Sequence, residues 1–594
     1  MTSEKSPTLH VSVYGSDAGS GAPDSPLRTI QAAADKAQPG DTVIVHGGTY
    51  REWIKPPRGG SGPDRRITYQ AAEGEHVEIK GSEPVEGWQR DGSVWKVTLP
   101  DTFFGAYNPY RDEIVGDWFY DLDRVHHTGE IYLDGRPLFE RASLEDVRAP
   151  KSHADALVPD DALLCWYCEH GDGEVTLWAN FGDAHPNANL VEVTARPAVF
   201  YPEIAGCNFI TVRGFTMRHA ATQWAAPTAE QIGLIGTNWS KGWVIENNVI
   251  SDSRCSGITL GKDRESGHNT WSNEGDDLTS AKGADAYTVV VQRALELGWS
   301  KDTIGSHLVQ NNEVYRCEMA GICGSLGAAF SHVRGNHVHH IFVQRQFHGA
   351  EMAGIKFHAA LDSLIEGNCL HHCGMYGLWL DWMTQGTRVH ANLMFDNKDF
   401  DLFSEVNHGP YVVDNNILLS HRAIRDWSQG GAYVHNLIGG PIEYRIETVR
   451  KTPILERHGT QIEKIEGFAG GDARYYGNVL VSSAGLEVYA DCAYKNDEKD
   501  NVWIEEPSIG LRHDEQGRYL LNVEALRELG KIGLVHTENF SPPVVSQHPY
   551  VDGTGASWAF DQTYLGEQRV HDTTVPGPFT RELGEQIIVW PRPS

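Results

Sequence analysis

From about residue 205 the chain alternates short apolar stretches with Gly, Asn and Asp, and one phrase returns with small variation. It reads IENNVI at 245, VQNNEV at 309, VRGNHV at 333, IEGNCL at 365, VHANLM at 389, VDNNIL at 413, YVHNLI at 433 and YYGNVL at 475. The Asn positions are 248, 312, 336, 368, 392, 416, 436 and 478, so the steps are 64, 24, 32, 24, 24, 20 and 42. A repeat near 24 residues, built of brief alternating runs, predicts two or three short strands joined by turns and not a helix pair. A unit this small has no core of its own and must stack on its copies. The pattern therefore predicts an all-β parallel β-helix with coils roughly 4.8 Å apart. The repeated Asn would stack at a turn, its amide bonding up and down the ladder, where Asn tolerates left-handed backbone.

Steps longer than 24 mark insertions. Between Asn248 and Asn312 lie about 40 extra residues, with a polar loop GKDRESGHNTWSNEGDD and a helix-like ADAYTVVVQRALELGW suited to walling a groove. Near the N-terminus, SPLRTIQAAADKAQPGDTVIVHGG predicts a cap helix with Ser25 as N-cap and Pro26 in the first turn. Its apolar stripe would be Ile30, Ala33, Ala34 and Ala37, and a strand TVIV follows. A helix there would cover the end of the coil stack. Residues 84 to 200 carry longer alternating strands (VWKVTLP, GEIYLDGRPLF with an Asp134-Gly135 turn, EVTLWANF), which predicts an inserted antiparallel β-sandwich. The expected organisation is 1–83 cap and first coils, 84–200 sandwich, 201–530 β-helix with the site, and 531–594 a C-terminal segment packing back on the body.

Composition narrows the function. Formal charge is -30 over 594 residues with no basic run, so nucleic acid and anionic membrane are excluded as main partners, and a neutral sugar fits better than a polyanion. The sequence MTSEKSPTLHVSVYG has no apolar signal region and no long apolar run follows, so a cytoplasmic, membrane-free protein is expected. Nine scattered cysteines argue against a disulfide framework. Cys165–Cys168 in CWYC lacks a second pair at zinc spacing, and Cys369-Leu-His-His-Cys373 lacks facing geometry, so both are expected to be core or surface side chains. His339–His340 and His371–His372 recur at the same place in successive repeats, which reads as stacking with a metal site as the lesser alternative. No cofactor or metal is expected.

The Asn ladder also serves as a ruler. Asp381, in GLWLDWMTQG, and Glu405, in FDLFSEVNHG, each lie 11 residues before a ladder Asn. They should occupy one position in successive coils, with Trp379 and Asp381 on the outer face opposite Leu378 and Leu380. Two carboxylates one coil apart repel, so one should stay protonated while the other ionises. A separation of about 5 to 5.5 Å suits a retaining glycosidase, whereas inverting enzymes need about 6.5 to 9.5 Å. Aligning Gly354 with Gly377 brings His358 level with Asp381 and Lys356 level with Trp379, with Glu351 just before. Trp379, Trp382 and Phe403 could supply a face for a sugar. Solvated outer acids are the bland alternative.

GIKFHAALDS, GLWLDWMTQGTRVHANL and DLFSEVNHGPYVVDNNILL resemble glycoside hydrolase family 120, the β-xylosidases built on a right-handed parallel β-helix with a flanking β-sandwich. The likeness extends over most of the chain. It implies that Asp381 is the nucleophile and Glu405 the acid/base of a retaining, exo-acting β-xylosidase that cuts xylobiose and short xylo-oligosaccharides from the non-reducing end. It also implies a homo-oligomer, a tetramer. Substrate-binding candidates are Glu351, Lys356, His358, Trp379, Trp382 and, from the inserted GDWFYD, Trp118. The alternatives are an exo-glycosidase acting on arabinosides or glucosides, a non-catalytic sugar-binding β-helix, and a β-helix polysaccharide lyase with Lys356 as base. The net charge and the absence of an Arg near the two acids in the sequence weigh against the lyase.

Overall fold

The structure, a computed structural model, describes residues 8–481 except 274–279, and 483–592 except 506–508, 571–573 and 581–583. The chain divides into two compact units, one of residues 1–271, 312–327 and 340–352, the other of 272–311, 328–339 and 353–594.

In the first unit, parallel strands stack in register into three sheets. One carries Val43, Tyr69, Val212 and Ile245 as a column of successive partners, another Tyr50, Ile79, Met217, Ile250 and Val314, and a third Ile235, Ile258 and Ile322. Every one of these side chains is buried, so each coil fills its core with apolar residues placed over those of the next. The cap helix runs Ile30–Lys36, with Ile30, Ala33 and Ala34 buried. Its N-cap is Thr29 and not Ser25: the Thr29 hydroxyl accepts from Ala32 N at 3.1 Å. The helix starts late because Leu27 is held in a parallel bridge to Val11 and the Arg28 and Thr29 amides bond Asp17 at 2.9 Å.

The inserted strands form a sandwich. One sheet is antiparallel throughout (Ser82–Pro84, Ile131–Leu133, Arg136–Pro137, Val191–Thr194), joined at the Asp134-Gly135 turn, whose residues both have positive φ. The other contains Gln89–Asp91, Val94–Pro100, Cys165–His170 and Glu174–Asn180 antiparallel, plus Phe139–Glu140, which pairs parallel with Cys165 and Trp166. Trp88, Leu99, Ile131, Trp166, Leu177 and Val193 from both sheets share one core.

The second unit repeats the coil construction. Ile365, Val389, Val413, Tyr433 and Tyr475 stack in one sheet, and Cys369, Leu393, Ile417, Leu437 and Val479 in another. Between the sheets runs the Asn ladder. The Asn392 side-chain carbonyl accepts from both the backbone N and the Nδ2 of Asn368 at 2.9 Å, while its own Nδ2 donates to Ile365 O and Asn416 Oδ1, both at 2.9 Å. Asn416, Asn436 and Asn478 repeat this, and Asn501 extends it by one more coil. The left-handed residue is the one before the ladder Asn: Gly367, Ala391, Asn415, His435 and Gly477 all have φ between 51° and 61°. The ladder residue itself is needed for its amide.

Within the same unit, helix Ser280–Glu296 buries Tyr287, Val290, Val291 and Ala294, one face of a helix. Part of the polar loop before it, residues 274–277, lies outside the described residues. Strands Leu511–His513, Tyr519–Asn522 and Gln586–Trp590 form an antiparallel sheet whose Leu521 and Val589 pack on Leu393, Ile417 and Val479. His339 and His371 stack with ring centroids 5.1 Å apart. The nine cysteines are present as thiols, eight of them buried. Among the described residues no helix is long and apolar enough to cross a membrane.

Candidate active site

The third sheet of the second unit carries the acids. Strand Tyr376–Asp381 lies between Ala353–His358 and Leu402–Glu405, with His358 opposite Asp381, Lys356 opposite Trp379, and Asp381 opposite Glu405. Ile355, Phe357, Leu378, Leu380 and Leu402 fill the coil interior, so alternation aims Lys356, His358, Trp379, Asp381 and Glu405 to the other side. After each of His358, Asp381 and Glu405 the chain enters a left-handed residue, Ala359, Trp382 and Val406, with φ of 53°, 44° and 47°. Positive φ in residues with a Cβ is costly and persists only where neighbours enforce it. Here the turns end three strands at one level.

This outer face is not solvated: Asp381 is 5% and Glu405 6% exposed, and Lys356 1%. Buried charge needs partners, and each acid has a different set. Lys356 Nζ donates to Asp381 Oδ2 at 2.8 Å and lies 3.2 Å from the centre of the Trp379 ring. His358 Nε2 is 3.1 Å from the same oxygen. Burial holds the His358 ring below its usual range, hence neutral, and since a carboxylate only accepts, its proton sits on Nε2. Asp381 Oδ1 has no hydrogen-bond partner among the described residues. Burial alone would raise the Asp381 carboxyl, but Lys356, His358 and Arg450 outweigh it and hold the group well below the carboxylate range.

Glu405 moves the other way. Trp379 Nε1 donates to its Oε2 at 3.0 Å and Arg450 Nη2 to its Oε1 at 2.5 Å. Burial, then the negative charge of Asp381, raise its pKa; Arg450 and Lys356 pull down but do not prevail. One coil of rise thus separates a carboxyl held well below the usual carboxylate range from one raised above it.

Trp379 is buried against Tyr376 and Phe403, with ring centroids at 4.8 and 4.9 Å, so it orients Glu405 and does not offer an open face. Trp382 meets Tyr287 edge-on at 5.0 Å, and Tyr287 also meets His358 at 5.4 Å. Glu351 and Trp118 belong to the first unit, where Glu351 is buried and Trp118 has φ 60°, its carbonyl accepting from Ala350 N at 3.0 Å.

Three residues escape a reading by register. Arg450 stands beside the acids, contrary to the expectation of no Arg there, and Glu447 accepts from it at 3.4 Å. Both lie in the 42-residue step between Asn436 and Asn478, just before the antiparallel hairpin Lys451–Leu455 and Ile462–Gly467. The long step was the available signal, but an insertion carries no coil register to say where its side chains go. Tyr287 lies likewise in the 64-residue step.

Known proteins share this fold. The family model described as the glycoside hydrolase 120 insertion domain matches residues 85–193, and that for a right-handed β-helix region matches 300–437. The solved structure of XylC in complex with xylose is similar at TM-score 0.91 and 37% identity, over 98% of this chain and 100% of that one. A solved glycoside hydrolase aligns over 84% of this chain and 96% of its own at 12% identity and TM-score 0.43, too remote to bear on function. Uncharacterized protein YwoF of Bacillus subtilis (strain 168) is 38% identical over 73 residues, 12% of this chain and 15% of that protein, so the chain spans a small part of that relative. With 37% identity over both full lengths to XylC and the insertion domain in place, the chain belongs to glycoside hydrolase family 120 and is a glycoside hydrolase on a right-handed parallel β-helix.

Proposed function

We propose that the protein is a retaining, exo-acting β-xylosidase that releases xylose from the non-reducing end of xylobiose and short β-1,4-xylo-oligosaccharides. The observation that carries this is the pairing of Asp381 with Glu405 on adjacent coils, with their proton affinities driven apart. The xylose bound to the similar XylC supports the choice of sugar.

In the first half-reaction Asp381 Oδ1, the oxygen that neither Lys356 nor His358 occupies, attacks the anomeric carbon from the face opposite the leaving group. Protonated Glu405 gives its proton to the glycosidic oxygen, so the C–O bond breaks with the leaving sugar neutral and a xylosyl ester is left on Asp381. The same Glu405, now ionised and steadied by Arg450 and Trp379, takes a proton from water, which attacks the anomeric carbon and returns Asp381 as carboxylate. Lys356 and His358 keep Asp381 ionised in a dry site and offset the charge that returns to it. Glu351, Trp382 and Trp118 remain proposed sugar contacts. In this reading the enzyme works in the cytoplasm as a homotetramer, and light scattering of the purified protein checks the oligomeric state.

The mechanism is tested by trapping. A 2-deoxy-2-fluoro-β-xyloside with a good leaving group should label Asp381 in peptide mass mapping, and azide should restore turnover of an activated xyloside to Glu405→Ala, giving a β-xylosyl azide. A label on another residue, or an α-azide, contradicts it.

A lyase keeps one point in its favour, an Arg beside the acids. Arg450, however, is committed to Glu405 and Glu447, which leaves it as a charge partner and not a free base. An unsaturated product from a uronic acid polymer would establish the lyase instead. Release of arabinose or glucose from the corresponding aryl glycosides would widen the glycone specificity without changing the mechanism.

A further inference from the structure

Away from the carboxylate pair, the sandwich insertion of the first unit gathers a second set of chemical groups. Cys168 and His170 alternate on strand Cys165–His170 and so share a face, and their partners across the ladder, Leu177 and Val175, face the sandwich core. His127, from the segment leading to Ile131–Leu133, comes up beside them. A ligand atom of each of the three lies within 4.8 Å of the others. The Cys168 sulfur is 3.8 Å from His127 Nδ1 and 3.9 Å from its Nε2, and the His127 and His170 rings are 5.6 Å apart, edge to face.

His127 is held from three sides. Its Nδ1 is 2.7 Å from Glu140 Oε1, its backbone N donates to the same carboxylate at 3.1 Å, and its carbonyl accepts from Arg254 Nε at 2.9 Å. Glu140 is fixed in turn by Arg254 Nη2 at 2.7 Å. A carboxylate accepting from Nδ1 leaves Nε2 as the lone-pair nitrogen; this is the arrangement by which metal-binding histidines are oriented and made more basic. His170 uses Nε2 on the Tyr110 carbonyl, which leaves its Nδ1 as the lone-pair atom. Tetrahedral zinc, with bonds of about 2.3 Å to sulfur and 2.0–2.1 Å to nitrogen, sets sulfur and nitrogen roughly 3.5 Å apart. A shift of about 0.4 Å, small for a side chain, brings Cys168 and His127 to that spacing. His170 is exposed and His127 partly so, which gives an ion a way in.

We propose that His127, Cys168 and His170 form a binding site for a borderline-soft divalent cation, zinc by ligand preference, with Glu140 as the outer carboxylate and a fourth position left to water. Binding replaces the proton of the Cys168 thiol, which is released to solvent, so affinity rises with pH. The ion would tie the segment before Ile131–Leu133 to strand Cys165–His170, a structural brace of the insertion and not a participant in hydrolysis. The imidazole cluster of His337 and His371 near Cys369 is the competing site in the second unit.

The test uses the full-length enzyme freed of metal, titrated with zinc chloride against a chromophoric chelator and separately with cobalt(II). Expected are one tight zinc per chain, a cobalt spectrum with a thiolate charge-transfer band, and a rise in melting temperature with zinc. Cys168→Ser should abolish the band, and His170→Ala, at an exposed position, should weaken zinc about 10-fold or more, the order seen for lost metal-site interactions. Both variants should keep the wild-type turnover when zinc-free, which also shows that they fold. The absence of stoichiometric zinc on the wild-type protein overturns the proposal. So does zinc affinity unchanged in both variants, or lost only in His371→Ala.

Discussion

The Asn ladder and the carboxylate pair are both stacks of like residues, one coil apart, in the second unit. Asn392 hands one amide hydrogen to Asn416 and another to Ile365, and receives two from Asn368, so every group in the stack is satisfied by its copy. The stack of His358, Asp381 and Glu405 has no such closure. Two like charges meet, and balance comes from Lys356, Trp379 and Arg450, which lie off the column. An amide can donate and accept, and so repeats without limit; a carboxylate can only accept, and repeating it forces a difference in protonation. The same translational order that makes the one stack a structural spine makes the other chemically asymmetric.

This contrast can be broken at several points. Asp381→Ala removes the proposed nucleophile and should lower kcat on an activated xyloside by about 10⁴-fold or more, with the fold retained by circular dichroism. Glu405→Ala should cost about 10²–10⁴-fold, less for substrates whose leaving group needs no proton. On the ladder, Asn392→Ala strands the Asn368 amide and the Ile365 carbonyl in the core. At about 1–3 kcal/mol for each buried group left without its bond, chemical denaturation should show a loss of about 3–5 kcal/mol with kcat of the folded enzyme unchanged. A large loss of turnover in the ladder variant, or of stability alone in the acid variants, would erase the distinction.

Smaller effects concern protons. Asp426 follows Ser404 in register and is buried with its Oδ2 accepting from Tyr489 at 2.8 Å; burial pushes its carboxyl from 3.8 to about 7. A folded pKa above the unfolded one stabilises below about pH 4 and loses that stabilisation as pH rises through about 7, at about 1.4 kcal/mol per pH unit within the window. Asp426→Asn should therefore flatten the fall of melting temperature between pH 5 and pH 8. For Glu405, Arg450 opposes the upward push, so Arg450→Met should move the alkaline limb of kcat/KM upward. A limb that moves down, or not at all, would detach that limb from Glu405.

How much of this was legible beforehand follows from what the repeat encodes. Asn392 and Asn416 carry the register that places Asp381 against Glu405, each 11 residues before its Asn, whereas His358 lies 10 before Asn368 and is set against Asp381 by the match of Gly354 with Gly377. Period-two alternation gives the faces, and the Asp134-Gly135 turn gives the hairpin of the insertion. What escaped lies where the period lapses. Arg450 and Tyr287 sit in insertions, whose paths depend on tertiary packing. The N-cap at Thr29 depends on Asp17 and Val11, contacts remote in sequence from any cap motif. The burial of Trp379 was also hidden, because alternation says which side a residue faces and not what covers that side.

The central claim is that adjacent coils set two carboxyls for double displacement. It is tested most directly by incubating the enzyme with an aryl β-xyloside, whose only sugar is the glycone, and following the anomeric protons of the released xylose by NMR before mutarotation. The account predicts that β-xylose appears first and α-xylose grows in only at the rate of mutarotation. Initial release of α-xylose would contradict it.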